Sequence, residues 1–175
     1  MPKIDLELKP VDRLTVDAIG KPGERVFYIQ AIKDDQVVTL IVEKLQVQSL
    51  AMGLEQFMAD ISEKFPDLPE ASPAYIESEM HIEPPVDPLF RVGELGLGYE
   101  GETDLMVLVA REILVEGQDA EEAGVVRLWS TRSQLRALCY WGVEIANRGR
   151  PICPQCGEPM EPEGHFCPKK NGHKH

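Results

Sequence analysis

The sequence predicts an α+β protein in which two tandem β-rich ββ(β)α repeats form one or two antiparallel sheets with two packed helices, followed by a small cysteine-rich module. Three observations predict this organisation. Runs of β-branched residues pass directly into two amphipathic helical patterns. The two strand-to-helix passages align with each other without a gap, and three of the four cysteines lie in the last 23 residues.

The repeat is visible when QVVTLIVEKLQVQSLA (36–51) is placed above GVVRLWSTRSQLRALC (124–139). Five positions are then identical: Val37/Val125, Val38/Val126, Leu40/Leu128, Gln46/Gln134 and Leu50/Leu138. Upstream, GKPGE (20–24) and GYEGE (98–102) each precede a strand-like run. Because the order of elements is shared as well as the residues, we expect an internal duplication.

The strands are predicted from runs of β-branched and aromatic residues bounded by turn residues. These runs occupy residues 4–9, 12–19, 25–33, 36–43, 89–99, 104–115 and 124–129. Four of them fall in the first half of the chain and three in the second.

Each half then continues into a helix. The apolar residues of the first helix recur at i, i+3, i+4 and i+7: Val47, Leu50, Ala51, Leu54, Phe57, Met58 and Ile61. Pro66 ends this run. The second helix begins with a capping-box pattern at Thr131 and Gln134, and Gly149 is expected to close it.

The predicted domains follow from these elements: 1–66 is the first repeat, 67–88 a Pro-rich acidic connector, 89–149 the second repeat and 150–175 the cysteine-rich tail. Six prolines fall between Phe65 and Pro88. This density indicates an extended connector or a partly ordered loop rather than a helix.

Charge and hydrophobicity restrict the possible functions. The net charge of −12 divides into −14 for residues 1–146 and +2 for residues 147–175. An acidic body repels phosphate backbones, so a large nucleic-acid surface is not expected there. No apolar run is long enough for a membrane span, and the first residues lack an apolar signal core. The expected compartment is the cytoplasm, where a cysteine pattern favours a metal over disulfides.

The tail RPICPQCGEPMEPEGHFCPKKNGHKH carries the strongest chemical signal. Cys153 and Cys156 stand at i and i+3 on a tight turn, a spacing that lets two thiolates bind one metal ion. A redox pair needs a helix directly after the cysteines, and Pro159 and Pro162 oppose one. The pattern therefore predicts a zinc ribbon.

A tetrahedral zinc site needs four ligands. Cys167 follows Cys156 after ten residues, and His165 precedes it by two, so both side chains leave an extended strand on the same face. His173 is also within reach and remains the alternative fourth ligand. We favour a metal site of Cys153, Cys156, His165 and Cys167. Because no coordination position stays open, Zn2+ is expected to be structural.

Other residues favour structural roles. Cys139 lies on the apolar face of the second helix and is expected to be a buried, inert thiol. His81 is expected to be a lone surface histidine. The glycine-rich FRVGELGLGYEGE (90–102) matches no nucleotide-binding motif, so bulges or a tight hairpin are the simpler explanation. No nucleophile motif is present, and no catalytic residue is predicted.

A family resemblance accompanies FYIQA, PLFRVGELGLGYE and the closing GRPICPQCGEPMEPEGHFCP…NG. These motifs resemble a bacterial, mainly actinobacterial, domain-of-unknown-function family labelled "repeat protein". The resemblance spans nearly the whole chain and implies no activity. Family members end in an aromatic residue after the Asn-Gly, where this chain has His173. That difference favours His165 as the fourth ligand.

Three functions remain in order of preference. The first is a non-enzymatic cytoplasmic zinc-binding adaptor with a protein partner, no membrane contact and an unknown oligomeric state. The second is an enzyme or small-ligand-binding protein with a pocket between the repeats, near Glu94, Tyr99, Glu100 and Arg132. The third is nucleic-acid binding through the ribbon, which would use Arg148, Arg150, Lys169 and Lys170.

Overall fold

The computed structural model describes residues 3–21 and 23–148. It confirms the α+β class, with two sheets and two long helices. The elements are β1 (Asp5–Leu8), β2 (Arg13–Ile19), β3 (Val26–Lys33), β4 (Gln36–Val42), α1 (Lys44–Lys64), β5 (Val92–Glu100), β6 (Leu105–Glu112), β7 (Val125–Thr131) and α2 (Arg132–Arg148). All of these elements overlap the predicted ones.

The strands form two sheets, of order β2-β3-β4 and β1-β7-β6-β5. In each half of the chain three antiparallel strands follow one another and lead into a helix. Gly20 and Gly23 lie at the hairpin between β2 and β3, and residues 98–102 lie at the hairpin between β5 and β6. The order of elements is therefore the same in both halves.

β1 departs from the prediction of wholly antiparallel sheets, because it joins the sheet of the second half and runs parallel to β7. Polar contacts from its exposed face support this pairing. Arg127 donates to Asp5 Oδ1 at 3.0 Å, and the indole of Trp129 donates to Glu7 Oε2 at 3.0 Å. The second half also contacts the first sheet, because Arg91 makes a parallel bridge to Ile41 on β4.

The helices run antiparallel, since Arg136 on α2 meets Glu55 on α1 while Gly142 meets Val47 further along. Gly142 permits this close approach, because a Cβ there would lie 2.6 Å from Val47 Cγ1. α2 also packs on β2, and α1 on β5. Trp141 is fully buried and donates its indole N–H to the Val16 carbonyl at 2.7 Å.

The aligned glutamines play the same part at the start of the two helices. The Glu43 backbone N–H donates to Gln46 Oε1 at 2.7 Å, and the Thr131 N–H donates to Gln134 Oε1 at 2.8 Å. The predicted capping box of α2 is confirmed, because the Gln134 N–H also donates to Thr131 Oγ1 at 3.0 Å. Gly149, predicted to close α2, lies outside the described residues.

Among the helices of residues 3–21 and 23–148, neither is long and apolar enough to cross a membrane.

Candidate functional site

A groove between α1 and α2, here called the interhelical groove, exposes apolar side chains. Its volume is about 980 Å³, and its lining is Leu45, Gln48, Ser49, Ala51, Met52, Glu55, Gln56, Cys139, Tyr140 and Val143. Leu45 and Met52, two helical turns apart on α1, are 75% and 76% exposed. Tyr140 and Val143 face them from α2 and are 44% and 36% exposed. Exposed apolar side chains gathered in one groove are typical of an interaction surface.

Cys139 lies among the residues that line this groove but is 1% exposed. Burial, together with a smaller effect of the nearby Glu55 carboxylate, raises the pKa of its thiol to about 12. A thiol with this pKa is protonated at neutral pH and does not act as a nucleophile. The predicted burial of Cys139 is confirmed, and the raised pKa agrees with an inert thiol.

An ion pair borders the interhelical groove. Arg136 donates to the two carboxylate oxygens of Glu55 at 3.1 and 3.0 Å, and to the Ala71 carbonyl at 2.7 Å. The hydrogen bonds that Arg136 donates to Glu55 raise the pKa of the guanidinium. The pair therefore ties both helices to the connector on this side.

A second groove, here called the edge groove, lies between a neighbouring face of α1 and β5. Its volume is about 470 Å³, and its lining is Leu45, Gln46, Ser49, Leu50, Gly53, Phe57, Gly93, Leu95 and Leu97. β5 is the last strand of its sheet. The edge groove therefore combines apolar side chains with a sheet edge.

Side chains of β2 hold residues 79–82 of the connector through hydrogen bonds. Arg13 donates to the carbonyls of Glu79 and His81, and Thr15 Oγ1 donates to the Met80 carbonyl. The connector is not extended throughout, because Glu77–Glu79 form a single 3-10 turn. The hydrogen bonds from alternate β2 residues hold residues 79–82 in place by satisfying backbone groups of the connector.

A polar pocket, here called the connector pocket, lies between this segment, β2 and the start of α2. It measures about 740 Å³ and is lined by Asp12, Arg13, Leu14, Ser72, Ala74, Tyr75, Ile76, Ser78, Glu79, Met80, His81, Glu83, Ser133, Gln134 and Ala137. Carboxylates and hydroxyls predominate among its polar groups. It draws residues from both halves and from the connector.

His81 is not the lone histidine that the sequence predicted. Its Nδ1 atom lies 3.1 Å from Asp17 Oδ2, and the same carboxylate oxygen accepts the Ile82 backbone N–H at 3.1 Å. The Asp17 side chain is 13% exposed, whereas that of His81 is 56% exposed. This contact directs the other ring nitrogen, Nε2, away from Asp17. An oriented histidine at a pocket is a suitable proton acceptor.

The four residues proposed for a pocket between the repeats line none of these three sites. Tyr99 and Arg132 converge instead on Asp104: the tyrosine hydroxyl donates at 2.7 Å and the guanidinium Nε at 2.8 Å. Glu100 accepts from Lys9 at 3.0 Å, and Glu94 lies exposed further along β5. Three of the four thus belong to ion pairs and hydrogen bonds that satisfy one another, which indicates a structural role.

Electrostatics in this cluster follows the hydrogen bonds. Donation from Arg132 lowers the pKa of Asp104, and the same contact raises the pKa of Arg132. Burial, together with Asp104, raises the pKa of Tyr99. All three groups therefore keep their ordinary charge at neutral pH.

Sequence reasoning missed Asp17, Asp104 and Gly53. Asp104 has a backbone φ of 52°, a conformation that aspartate tolerates in turns, so its turn was predictable but its partners were not. Asp17 belongs to a strand and reaches a residue 64 positions away. Gly53 in the middle of a helical pattern was a visible signal, because glycine weakens a helix interior.

The predicted metal ligands Cys153, Cys156, His165 and Cys167, and the alternative His173, lie outside the described residues. Within residues 3–21 and 23–148, no group of three or more histidine, cysteine, aspartate or glutamate side chains is placed to hold a metal ion.

Comparison with known families gives one match. A family model described as "Protein of unknown function (DUF3090)" matches residues 6–167, which include the body and the tail as far as Cys167. No curated protein and no solved structure matches the chain significantly.

Proposed function

Since the chain belongs to the DUF3090 family, whose function is unknown, we propose that it is a non-enzymatic, cytoplasmic, protein-binding adaptor with a structural zinc in its tail. One observation carries the adaptor proposal. The interhelical groove exposes Leu45, Met52, Tyr140 and Val143 side by side. Apolar clusters of this kind on a water-facing surface mark protein–protein contacts.

The proposed occupant of the interhelical groove is an amphipathic helix of a partner protein. Two antiparallel helices leave a groove that a third helix can fill, with apolar residues at i, i+3, i+4 and i+7 as anchors. Residues 1–148 hold 14 Lys and Arg against 27 Asp and Glu, a net charge of −13. A partner helix with a basic outer face would therefore be attracted over a long range.

A photo-crosslinking amino acid at Tyr140 tests this proposal in living cells. We expect a partner to be crosslinked through a segment with a helical apolar stripe, and we expect Met52→Glu to remove that product while Met52→Leu keeps it. The same crosslinker at the exposed loop residue Glu116 is the matched control. Equal products from both positions, or none from Tyr140, would exclude the groove as the docking surface.

The proposed zinc site is Cys153, Cys156, His165 and Cys167. All four residues lie within the matched range 6–167, and His173 lies beyond it, which supports His165 as the fourth ligand. A tail with five prolines and few large apolar residues has little core of its own. Metal binding contributes on the order of 10 kcal/mol to such modules, so zinc would account for its folding.

Elemental analysis of the untagged protein tests the site. We expect one zinc per chain, lost in His165→Ala and kept in His173→Ala. Absence of zinc, with thiols of the tail that titrate freely, would overturn the ribbon and return attention to a redox pair.

We also propose that the two halves arose by duplication, with the repeats at 1–66 and 89–149 and the connector and tail at 67–88 and 150–175. The matching roles of Gln46 and Gln134 support this proposal. We further propose that this family is the bacterial, mainly actinobacterial, family labelled "repeat protein".

A second candidate function is that of an enzyme or small-ligand-binding protein. The observation in its favour is the connector pocket, where Asp17 orients His81. Thermal shifts with a panel of small metabolites test it, with His81→Gln as the variant. A ligand that raises Tm in the wild type and not in His81→Gln would support this candidate, and a panel without any such ligand would count against it.

Nucleic-acid binding through the tail is the third candidate. Arg148, one of its four proposed cations, already contacts Glu77 and Glu144. Retention on an RNA or DNA column that falls with added salt would support this function. Passage of the protein through both columns at low salt would exclude it.

A further inference from the structure

We propose that β5 is a strand-addition site: an extended segment of a partner protein pairs with the outer edge of β5 and places alternate apolar side chains in the edge groove. This surface lies on a neighbouring face of α1, and it shares only Leu45 and Ser49 with the interhelical groove. The inference therefore goes beyond the adaptor proposal, and each can fail without the other.

The first observation is the open edge of β5. On one side the strand pairs with β6 from Val92 to Glu100. On the other side, Arg91 bridges to Ile41 just before the strand begins, and Gln46 Nε2 donates to the Val92 carbonyl at 3.0 Å. From Glu94 onward no second strand pairs with β5 in the part of the chain that the structure describes. Such an edge presents backbone N–H and C=O groups that can pair with another chain.

The second observation is the apolar wall opposite this edge. Leu95 and Leu97 of β5 line the edge groove, and because side chains alternate along a strand, Glu94 and Gly96 lie on the other face. On the helix side, Ser49, Gly53 and Phe57 follow one another at i, i+4 and i+8. A groove between an edge strand and a helix is the geometry in which extended peptides add a strand.

The third observation is the pair of glycines Gly53 and Gly96. A Cβ built at either position meets no atom within 4 Å, and neither has a positive φ. Glycine inside a helix or strand costs stability relative to alanine, so neither is explained by the fold of the described residues. By contrast, Gly93 is required, since its Cβ would lie 2.8 Å from Ile113 Cα.

Both unexplained glycines lower the obstruction around the same edge. Gly53 keeps the helical wall of the edge groove free of a side chain. Gly96 stands at the middle of β5, where a small residue permits another backbone to approach closely. The bulge and hairpin that explain other glycines of this segment do not account for Gly96, because the register shift lies between Val92 and Glu94.

The occupant can be described by its chemistry. It is extended, carries an apolar side chain at every second residue, and has no proline at the positions that pair with β5. The exposed Glu94 on the far face of the strand favours a lysine or arginine at an intervening position. The net charge of −12 over the chain likewise favours a positively charged segment.

Two other occupants fit less well. A second copy of the chain would bring its whole sheet to β5, and the edge groove between β5 and α1, at about 470 Å³, is small beside a sheet. The chain's own residues 149–175 contain five prolines, each of which lacks the N–H that pairing requires. A short segment of another protein is therefore the proposed ligand.

The test uses the full-length, zinc-supplemented protein as bait for a displayed library of random peptides of about nine residues, a length that matches an ordinary strand. Selected peptides are synthesised with a fluorophore, and their Kd is measured by anisotropy. We expect apolar residues at alternate positions. N-methylation of every second backbone amide should weaken binding about tenfold or more per pairing N–H removed, whereas methylation of the intervening amides should not.

Two neighbouring residues of α1 give matched variants. Gly53→Gln places a side chain in the edge groove, where the backbone has room for it, and should weaken binding at least about tenfold. Met52 lines the interhelical groove and not the edge groove. The Met52→Gln variant should therefore bind the peptides as tightly as the wild type does. Circular dichroism and Tm confirm that both variants fold; the glycine replacement should raise Tm.

Three results would overturn strand addition. The library yields no peptide with a Kd below about 1 mM; the peptides bind Gly53→Gln as tightly as the wild type; or N-methylation has no alternating effect. Peptides with helical spacing that fail to bind Met52→Gln would place the interaction in the interhelical groove. That result would overturn the present inference and support the adaptor proposal.

Discussion

β2 and β5 hold the same place in the two halves, since each is the first of three antiparallel strands, yet the structure covers them differently. β2 lies under the connector, which Arg13, Thr15 and Asp17 hold through hydrogen bonds to residues 79–82. On the outer edge of β5, Gln46 donates a hydrogen bond to the first residue, Val92, and the edge groove lies beside the residues that follow. One strand is a site of anchorage within the chain, and the other faces solvent.

The side chains along the two strands explain this difference. Arg13, Thr15 and Asp17, at alternate positions of β2, are polar, and they bond carbonyl and N–H groups of residues 79–82. Leu95 and Leu97, at alternate positions of β5, have no side-chain donors or acceptors and cannot hold a connector in this way. An apolar edge beside a helix instead gains most from an apolar partner. Three predictions test this contrast, beginning with the largest effect.

Asp17→Ala should reduce the free energy of unfolding by about 2 kcal/mol, because it leaves the partly buried Ile82 N–H without its acceptor. Urea denaturation measures this loss, and hydrogen exchange should increase at residues 79–83. Glu94→Ala on β5 is the matched control, with an expected change within about 0.5 kcal/mol. Equal losses of unfolding free energy in the two variants would contradict the view that β2, and not β5, holds another segment of the chain in place.

Replacing Gly93 and Gly96 of β5 by alanine should change the stability of the protein in opposite directions. Gly93→Ala should cost about 1–3 kcal/mol, because the new methyl group meets Ile113 at 2.8 Å. Gly96→Ala should instead stabilise the protein by about 0.5 kcal/mol, since it meets no neighbour. Thermal denaturation of the two variants side by side measures both effects. Destabilisation by Gly96→Ala would show a structural need for that glycine and weaken the strand-addition proposal.

The surroundings of β5 become polar near its C-terminal end, where Arg132 and Asp104 form an ion pair. The contribution of this pair to stability should depend on pH. Arg132 lowers the pKa of Asp104 in the folded protein. The pair therefore stabilises the fold above the unfolded pKa of about 4, and this contribution disappears as pH falls through the lower, folded pKa. Because the Asp104 side chain is 42% exposed, the effect should stay below about 1 kcal/mol.

Asp104→Asn checks this sign. The variant should be less stable than the wild type at pH 7, and the difference should shrink as pH falls below about 4. Urea midpoints at several pH values measure it. A difference that grows in acid would rule out the ion pair as its source.

Much of the fold could be predicted from the sequence because its signals are local. The β-branched runs, the apolar periodicity of α1 and the Thr131–Gln134 capping box each depend on residues within one or two turns of one another. The partner of β1 was not predictable in this way. Asp5 meets Arg127 across 122 positions, and no local pattern records a pairing between such distant residues.

The candidate sites divide in the same manner. Burial of Cys139 followed from its place on an apolar helical face. The pairing of His81 with Asp17 did not, because it needs β2 and the connector to be laid side by side. Glu94, Tyr99, Glu100 and Arg132 were chosen for their residue types and nearness to glycines, and three of them proved to be parts of saturated polar contacts.

The sequence by itself determined which residues form strands and where both helices begin, and it predicts metal-binding side chains in the tail. The tertiary structure decided which apolar residues stay exposed. Leu50 and Met52 are both apolar residues of one helix, yet one is buried against the core and the other lies open beside α2. That outcome depends on where the second helix and the sheet edge pack, because burial is a property of the neighbours that surround a side chain.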